Sequence, residues 1–478
     1  MESPEPADPM EKTDLAFAGI AAQARMLREG EVSSVELTRT YLERIERLDP
    51  FLNPFVLVRT ERSLAEAAEA DKRLAEGEEG RLLGVPVALK DNVDVAGLHT
   101  SHGTGAFDRP ATTDAALWRR LREAGAILLA KTTMPELAIL PFAETKTWGI
   151  TRNPWDAGRS PGGSSSGSGA AVAAGLVGAA SASDGAGSIR IPAASCGLVG
   201  LKPQRGRVSL APDAEHWCGL SVFGCVSRRI ADTALWLEVT AGSEPVDAHR
   251  AEDPPVGFIE AAAREPERLR IAWSTAALPG TFAKLDREVA AEVERVARML
   301  ERLGHEVSEI DPDWGLLGAD FSVLYLKGIE AEYESVPNPG RLERRTKGFR
   351  AMARPIPDAL LERSRRRIPE HAARVNRIFD RVDVLLTPTA GESAVEVGRW
   401  EGMGALRTTS GMSRVYPWTG PWNYLGNPAV SLPTGVSAAG LPLAVQAVAP
   451  PHREDRLLTL GAQLERECGW TDRRPPVG

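Results

Sequence analysis

The stretch 158–206, GRSPGGSSSGSGAAVAAGLVGAASASDGAGSIRIPAASCGLVGLKPQRG, constrains this chain more than any other. It is poor in acidic and basic side chains, dense in Gly, Ser and Ala, and holds two serine clusters, at 162–167 and 184–188. Residues 170–180 between them read as a buried helix of small side chains, and 189–191 as a short apolar strand with Arg190 at its centre. A flexible Gly/Ser linker is the bland alternative. Linkers, however, do not run straight into a continuous apolar helix. Glycines let the backbone take positive φ and approach a ligand closely. Serines at a helix entrance add hydroxyls and free N–H groups where negative charge is favoured. The stretch therefore reads as the floor of a site that holds an oxyanion.

At 478 residues the chain can form one large α/β domain or two to three ordinary ones, and 43% hydrophobic residues suffice for a large core. No composition break splits it, so a single domain over 15–478 is expected. The net charge of −8 argues against a nucleic-acid or anionic-membrane partner. No apolar run is long enough to span a bilayer. The opening MESPEPADPMEKTD is acidic and proline-rich without a leader pattern, and residues 1–14 are expected to be a disordered lead. Cys196, Cys218, Cys225 and Cys468 lack zinc-ligand spacing, the seven histidines are scattered, and no HExxH occurs. A reduced, cytoplasmic protein without metal or cofactor is expected.

Along the chain, helices are expected over 15–29, 33–47 and 62–75, then a strand at 84–89 running into Lys90. A helix at 115–125 and a strand at 126–130 end on a second lysine, Lys131, with a further helix opening at 131–136. This alternation implies a largely parallel, helix-covered sheet. Position alone does not choose between the two lysines. Further strands are expected at 269–274, 306–310, 382–387, 429–432 and 443–448, and helices at 232–241, 286–303 and 453–464. Residues 202–203 and 208–209 read as turns, and the basic segment 338–368 as a solvated helical face.

Three nucleophile arrangements can be weighed. Gly163-Ser164-Ser165-Ser166-Gly167 matches the G-x-S-x-G elbow with Ser165 as nucleophile. An elbow needs a strand immediately before it, and Pro154, Gly158 and Pro161 stand there instead. Neither an S-x-x-K nor a phosphate-binding P-loop occurs. The third is a Ser–Ser–Lys relay, implied by a family resemblance that four pieces carry: GVPVALKDN at 84–92, the Gly/Ser block at 162–169, GSIRIPAASCGLVGLKP at 187–203, and GNPAVSLPTG with GLPLAVQ at 426–446.

Over roughly 30–465 these pieces resemble the amidase signature family, whose members hydrolyse or transfer amide and related acyl bonds. The two serines at the family's relay spacing, Ser164 and Ser188, stand 24 positions apart. The resemblance implies an α/β amidase signature fold: a single large domain with a mixed, largely parallel central sheet covered by helices on both faces. It implies Ser188 as nucleophile, Ser164 as bridging serine on a cis peptide after Gly163, and Lys90 as base. The backbone N–H groups of Gly185, Ala186, Gly187 and Ser188 would form the oxyanion hole, with Ser165, Asp184 and Arg190 behind it. A lysine serves as base only when neutral, which burial favours. A serine hydroxyl both donates and accepts, so it can relay a proton. Two departures stand out: Ser166-Gly167 and Ala186-Gly187 replace the usual Gly-Gly pairs. Both changes are small and leave the backbone donors in place.

The substrate expected from the resemblance is a small-molecule amide, carbamate or ester, as in the nylon-oligomer and urethane hydrolases. Ile139, Leu140, Phe142 and Trp148 are expected to line its pocket. A monomer or homodimer is expected. Two other readings stay open: an amidotransferase subunit acting on Gln-charged transfer RNA with partner chains, and an inactive family member that only binds.

Overall fold

The computed structural model describes residues 9–477. Residues 1–8 of the expected lead lie outside the described residues, and from Pro9 onward the chain is helical, Pro9–Phe17. Among the described residues eleven strands form one mixed sheet. From one edge the order is Phe55–Val58, Ile127–Thr132, Pro86–Lys90, Ala179–Asp184, Val222–Ser227, Val199–Lys202, Ala429–Val436, Pro442–Val448, Val384–Pro388, Arg270–Trp273 and Glu306–Glu309. Parallel ladders join Pro86–Lys90 to both of its neighbours, and Arg270–Trp273 to both of its own. The strands between these two wings pair antiparallel.

Pro86–Lys90, Ile127–Thr132 and Ala179–Asp184 are buried at every position, as expected of strands covered on both faces. The cover on one face is unusual in its small side chains. Helix Ser166–Ala173 (SGSGAAVA) is buried all round and packs beside the equally buried helix Arg190–Cys196. Farther out, Arg287–Arg302 buries Val289, Val293, Val296 and Leu300 on one stripe, the usual pattern of an amphipathic helix.

Several expected elements are corrected. Residues 189–191 are not a strand: Arg190–Cys196 is helical, with Pro192 in its first turn, where a missing N–H costs nothing. The stretch 170–180 is divided, the helix ending at Ala173 and a strand beginning at Ala179. No α-helix opens at 131–136. The strand runs on to Thr132, and positive φ at Leu137 (51°) and Ala138 (58°) leaves a single 3-10 turn. The expected helix 15–29 breaks at Gly19 (φ 85°), and Lys202, expected in a turn with Pro203, is the last residue of strand Val199–Lys202. The basic segment holds helices Arg344–Ala353 and Asp358–Arg366, and Arg350, Arg365 and Arg367 pair with Glu334, Glu215 and Asp320. Helices Leu317–Glu334 and Ala405–Val415 carried no recognised sequence signal. No described helix is long and apolar enough to cross a membrane.

Candidate active site

Lys90 is the last residue of its strand and is fully buried. Its Nζ lies 2.7 Å from Ser164 Oγ and 2.8 Å from Ser183 Oγ, and its backbone N–H donates to Ser181 Oγ at 2.7 Å. Among the described residues its side chain has hydroxyl partners and no carboxylate within ion-pair distance. Burial therefore pulls its pKa down to about 7, with Asp184 offsetting only part of the effect. The neighbouring lysine is built differently. Lys131 Nζ meets Asp91 Oδ1 at 2.7 Å, Thr100 Oγ1 at 2.9 Å and the His99 carbonyl at 3.0 Å. The register pairs Lys90 with Thr132 and Lys131 with Leu89, so the two side chains leave the sheet on opposite faces.

Ser164 is reached through a cis Gly163–Ser164 peptide and is fully buried. Only glycine fits at 163, because a Cβ there would stand 2.5 Å from the Phe142 backbone nitrogen. Ser188 is half-buried in the turn that enters helix Arg190–Cys196. Both serines line one cavity of about 490 Å³. They make no direct hydrogen bond to each other among the described residues; such contacts often tighten only when substrate binds. Ser165 lies outside the cavity, its Oγ within 3.4 Å of the Ser183 backbone, and no strand precedes it. The elbow reading is therefore left without its geometry.

Behind Ser188 a buried polar network fixes the loop. Arg190 uses all five of its N–H groups: two on Asp184 (2.9 and 3.0 Å), and one each on Thr419 O (3.0 Å), Gln446 Oε1 (2.6 Å) and Asn423 Oδ1 (2.6 Å). Burial works against the Asp184 charge. Arg190, Lys202 and Asn423 outweigh it and hold the carboxyl well below the usual range. Asp184 in turn accepts from the backbone N–H groups of Gly187 (2.5 Å) and Ile189 (3.1 Å). The N–H groups of Gly185, Ala186 and Ser188 have no partner among the described residues. Sequence reasoning missed Ser183, Thr419, Asn423 and Gln446. The last three come from far along the chain, where no local pattern points back to residue 188.

The cavity is apolar over most of its wall. Leu137, Ala138, Ile139 and Leu140 form one side, and Phe321 and Tyr325 of helix Leu317–Glu334 another. Tyr325 ties the two sides together through its hydroxyl, which donates to the Ile139 carbonyl at 2.9 Å. At one end Asn92, His102, His216 and Glu332 make the wall polar, and burial lowers the His102 pKa to about 4. Of the four expected pocket residues, Ile139 and Leu140 line the cavity, whereas Phe142 and Trp148 do not. Phe142 is stacked on Trp400 at 5.1 Å in a small separate cluster, and the Trp148 indole N–H donates to Ser101 Oγ at 3.1 Å.

The mixed, helix-covered sheet and the relatives it matches define an amidase-type hydrolase acting on non-peptide carbon–nitrogen bonds. The chain belongs to the amidase signature family: the family model described as Amidase matches residues 36–458. It is 43% identical over 469 residues to the putative amidase AmiB2 of Mycobacterium tuberculosis, covering 98% of this chain and all of that one. It is 36% identical over 497 residues to the 6-aminohexanoate-cyclic-dimer hydrolase of Paenarthrobacter ureafaciens, covering 98% of each. A solved structure of 6-aminohexanoate cyclic dimer hydrolase with its substrate superposes with a TM-score of 0.87 at 32% identity, over 97% of this chain and 99% of that one.

Proposed function

We propose that this amidase cleaves amide or carbamate bonds of small molecules through Ser188, Ser164 and Lys90, forming an acyl-enzyme on Ser188. The observation that carries the reading is the buried, hydroxyl-only environment of Lys90, 2.7 Å from Ser164 Oγ. With the amine neutral, the Ser164 hydroxyl donates to Nζ. As Ser188 Oγ bonds to the substrate carbonyl carbon, its proton passes to Ser164 Oγ and the Ser164 proton to Lys90. Backbone N–H groups of the 185–188 loop receive the oxyanion, where one such donor is typically worth about 10²–10³ in rate. The proton on Lys90 returns through Ser164 to the leaving nitrogen as the C–N bond breaks. Water then attacks the acyl-enzyme by the same route and restores Ser188.

The apolar cavity supports a small, uncharged acyl or leaving group, and ester cleavage is an expected side activity. All four cysteines are free, which fits a reducing compartment such as the cytoplasm. The reading is tested with purified protein on an aryl amide, an aryl-amine carbamate and a p-nitrophenyl ester, with Ser188→Ala as control. Cleavage that disappears in Ser188→Ala supports it, and the preferred bond sets the subclass. Wild-type rates in Ser188→Ala would place the nucleophile elsewhere.

A further inference from the structure

The loop that leads into Ser188 carries four consecutive backbone N–H groups, 185–188, and one of them is already engaged. Gly187 N–H donates to Asp184 Oδ1 at 2.5 Å. The carbonyl at the other end of the same peptide, Ala186 O, accepts from Thr419 Oγ1 at 2.7 Å. The peptide plane joining 186 and 187 is thus held at both ends by buried side chains.

We infer that Thr419 is a positioning residue of this active site: with Asp184 it fixes the Ala186–Gly187 peptide as a strut, leaving the N–H groups of Gly185, Ala186 and Ser188 as the oxyanion donors. The inference rests on the amidohydrolase reading above. Four further observations support it. Thr419 is fully buried, and its own carbonyl is held by Arg190 Nη1 at 3.0 Å. Arg190 also holds Asp184, so one guanidinium references both ends of the strut. Gly187 has φ +127°, and a Cβ there would stand 2.5 Å from Thr419 Oγ1, so loop and threonine are closely fitted. Thr419 immediately precedes Gly420 and Pro421, which line the cavity, and thereby ties the cavity wall to the loop. Without the hydroxyl, Ala186 O loses its buried partner, that end of the peptide is free to rotate, and the neighbouring N–H groups lose their aim.

The test uses Thr419→Val, which keeps the shape and removes the hydroxyl, and Thr419→Ser, which keeps the hydroxyl. The first readout is the rate at which a fluorophosphonate labels Ser188. That reaction forms the Oγ–P bond, breaks P–F, releases fluoride and sends the hydroxyl proton to Lys90. The second is kcat and KM on an aryl amide. Thr419→Val is expected to slow labelling and kcat about 10- to 100-fold with KM within about twofold, and Thr419→Ser to stay within about threefold of wild type. Thr419→Ala serves in place of the valine variant should that fail to fold. Wild-type labelling in Thr419→Val, a change in KM alone, or Thr419→Ser as slow as Thr419→Val would overturn the inference. Labelling of another residue, or of none, in the wild type would instead remove Ser188 as nucleophile, and the inference with it.

Discussion

Lys90 ends its strand and Lys131 stands one residue before the end of the adjacent parallel strand; both are fully buried, and in sequence each follows an apolar run. One residue of register separates their fates. On one face Lys131 meets a carboxylate and two further oxygens. On the other, Lys90 meets only serine hydroxyls. A buried lysine with a carboxylate partner ties neighbouring elements together. A buried amine without one tends to neutrality and can accept a proton. Chemistry follows the partners, not the burial.

The comparison breaks most visibly in activity. Lys90→Met is expected to lower kcat/KM by about 10⁴–10⁶, the usual cost of removing one member of a catalytic unit. The same substitution is expected to raise the melting temperature. Burial depresses the folded-state pKa of Lys90 to about 7 from an ordinary 10.5, so the unfolded chain holds the extra proton between those values and wild-type stability climbs with pH there. The stabilisation by Lys90→Met should be largest below pH about 7 and fade toward 10.5. Calorimetric scans across that range check the sign. Lys131→Met should do the reverse. It leaves Asp91 buried without its cation, at a cost of about 3–5 kcal/mol in denaturant unfolding, while the pH dependence of whatever activity survives is unchanged.

Ser183 sharpens the contrast at smaller amplitude. It accepts from Lys90 Nζ at 2.8 Å and from Asn92 Nδ2 at 3.1 Å. Hydrogen bonds to the charged form favour it. Ser183→Ala is therefore expected to move the alkaline rise of kcat/KM to lower pH, by up to about one unit. A shift in the opposite direction would mean that Ser183 favours the neutral amine.

Much of the candidate site was legible because its pieces are short and carry the family resemblance. The apolar run into Lys90 and the 24-residue spacing of Ser164 and Ser188 stand in the sequence. What was not legible depends on distant partners. Lys131 could not be told from Lys90 without knowing that Asp91, His99 and Thr100 fold back over it. Ser183 sits in an Ala/Ser strand that reads as packing, and Asn423 and Gln446 reach Asp184 and Arg190 from more than 230 positions away. The strand expected at 189–191 failed for a local reason. Two isoleucines around an arginine imitate strand alternation, but three residues are too few to separate a period of 2 from one of 3.6. Phe142 and Trp148, expected in the pocket, pack elsewhere, one on Trp400 and the other with its indole N–H on Ser101 Oγ.

The difference between the two lysines is tested most directly by titrating the Lys90 amine itself, through ¹⁵N-detected NMR of lysine Nζ in wild type, with Lys90→Met assigning the signal. A midpoint near 7, in step with the rise of kcat/KM, is the expected result. A midpoint at the ordinary lysine value, with activity already full at neutral pH, would contradict a neutral Lys90 as the base.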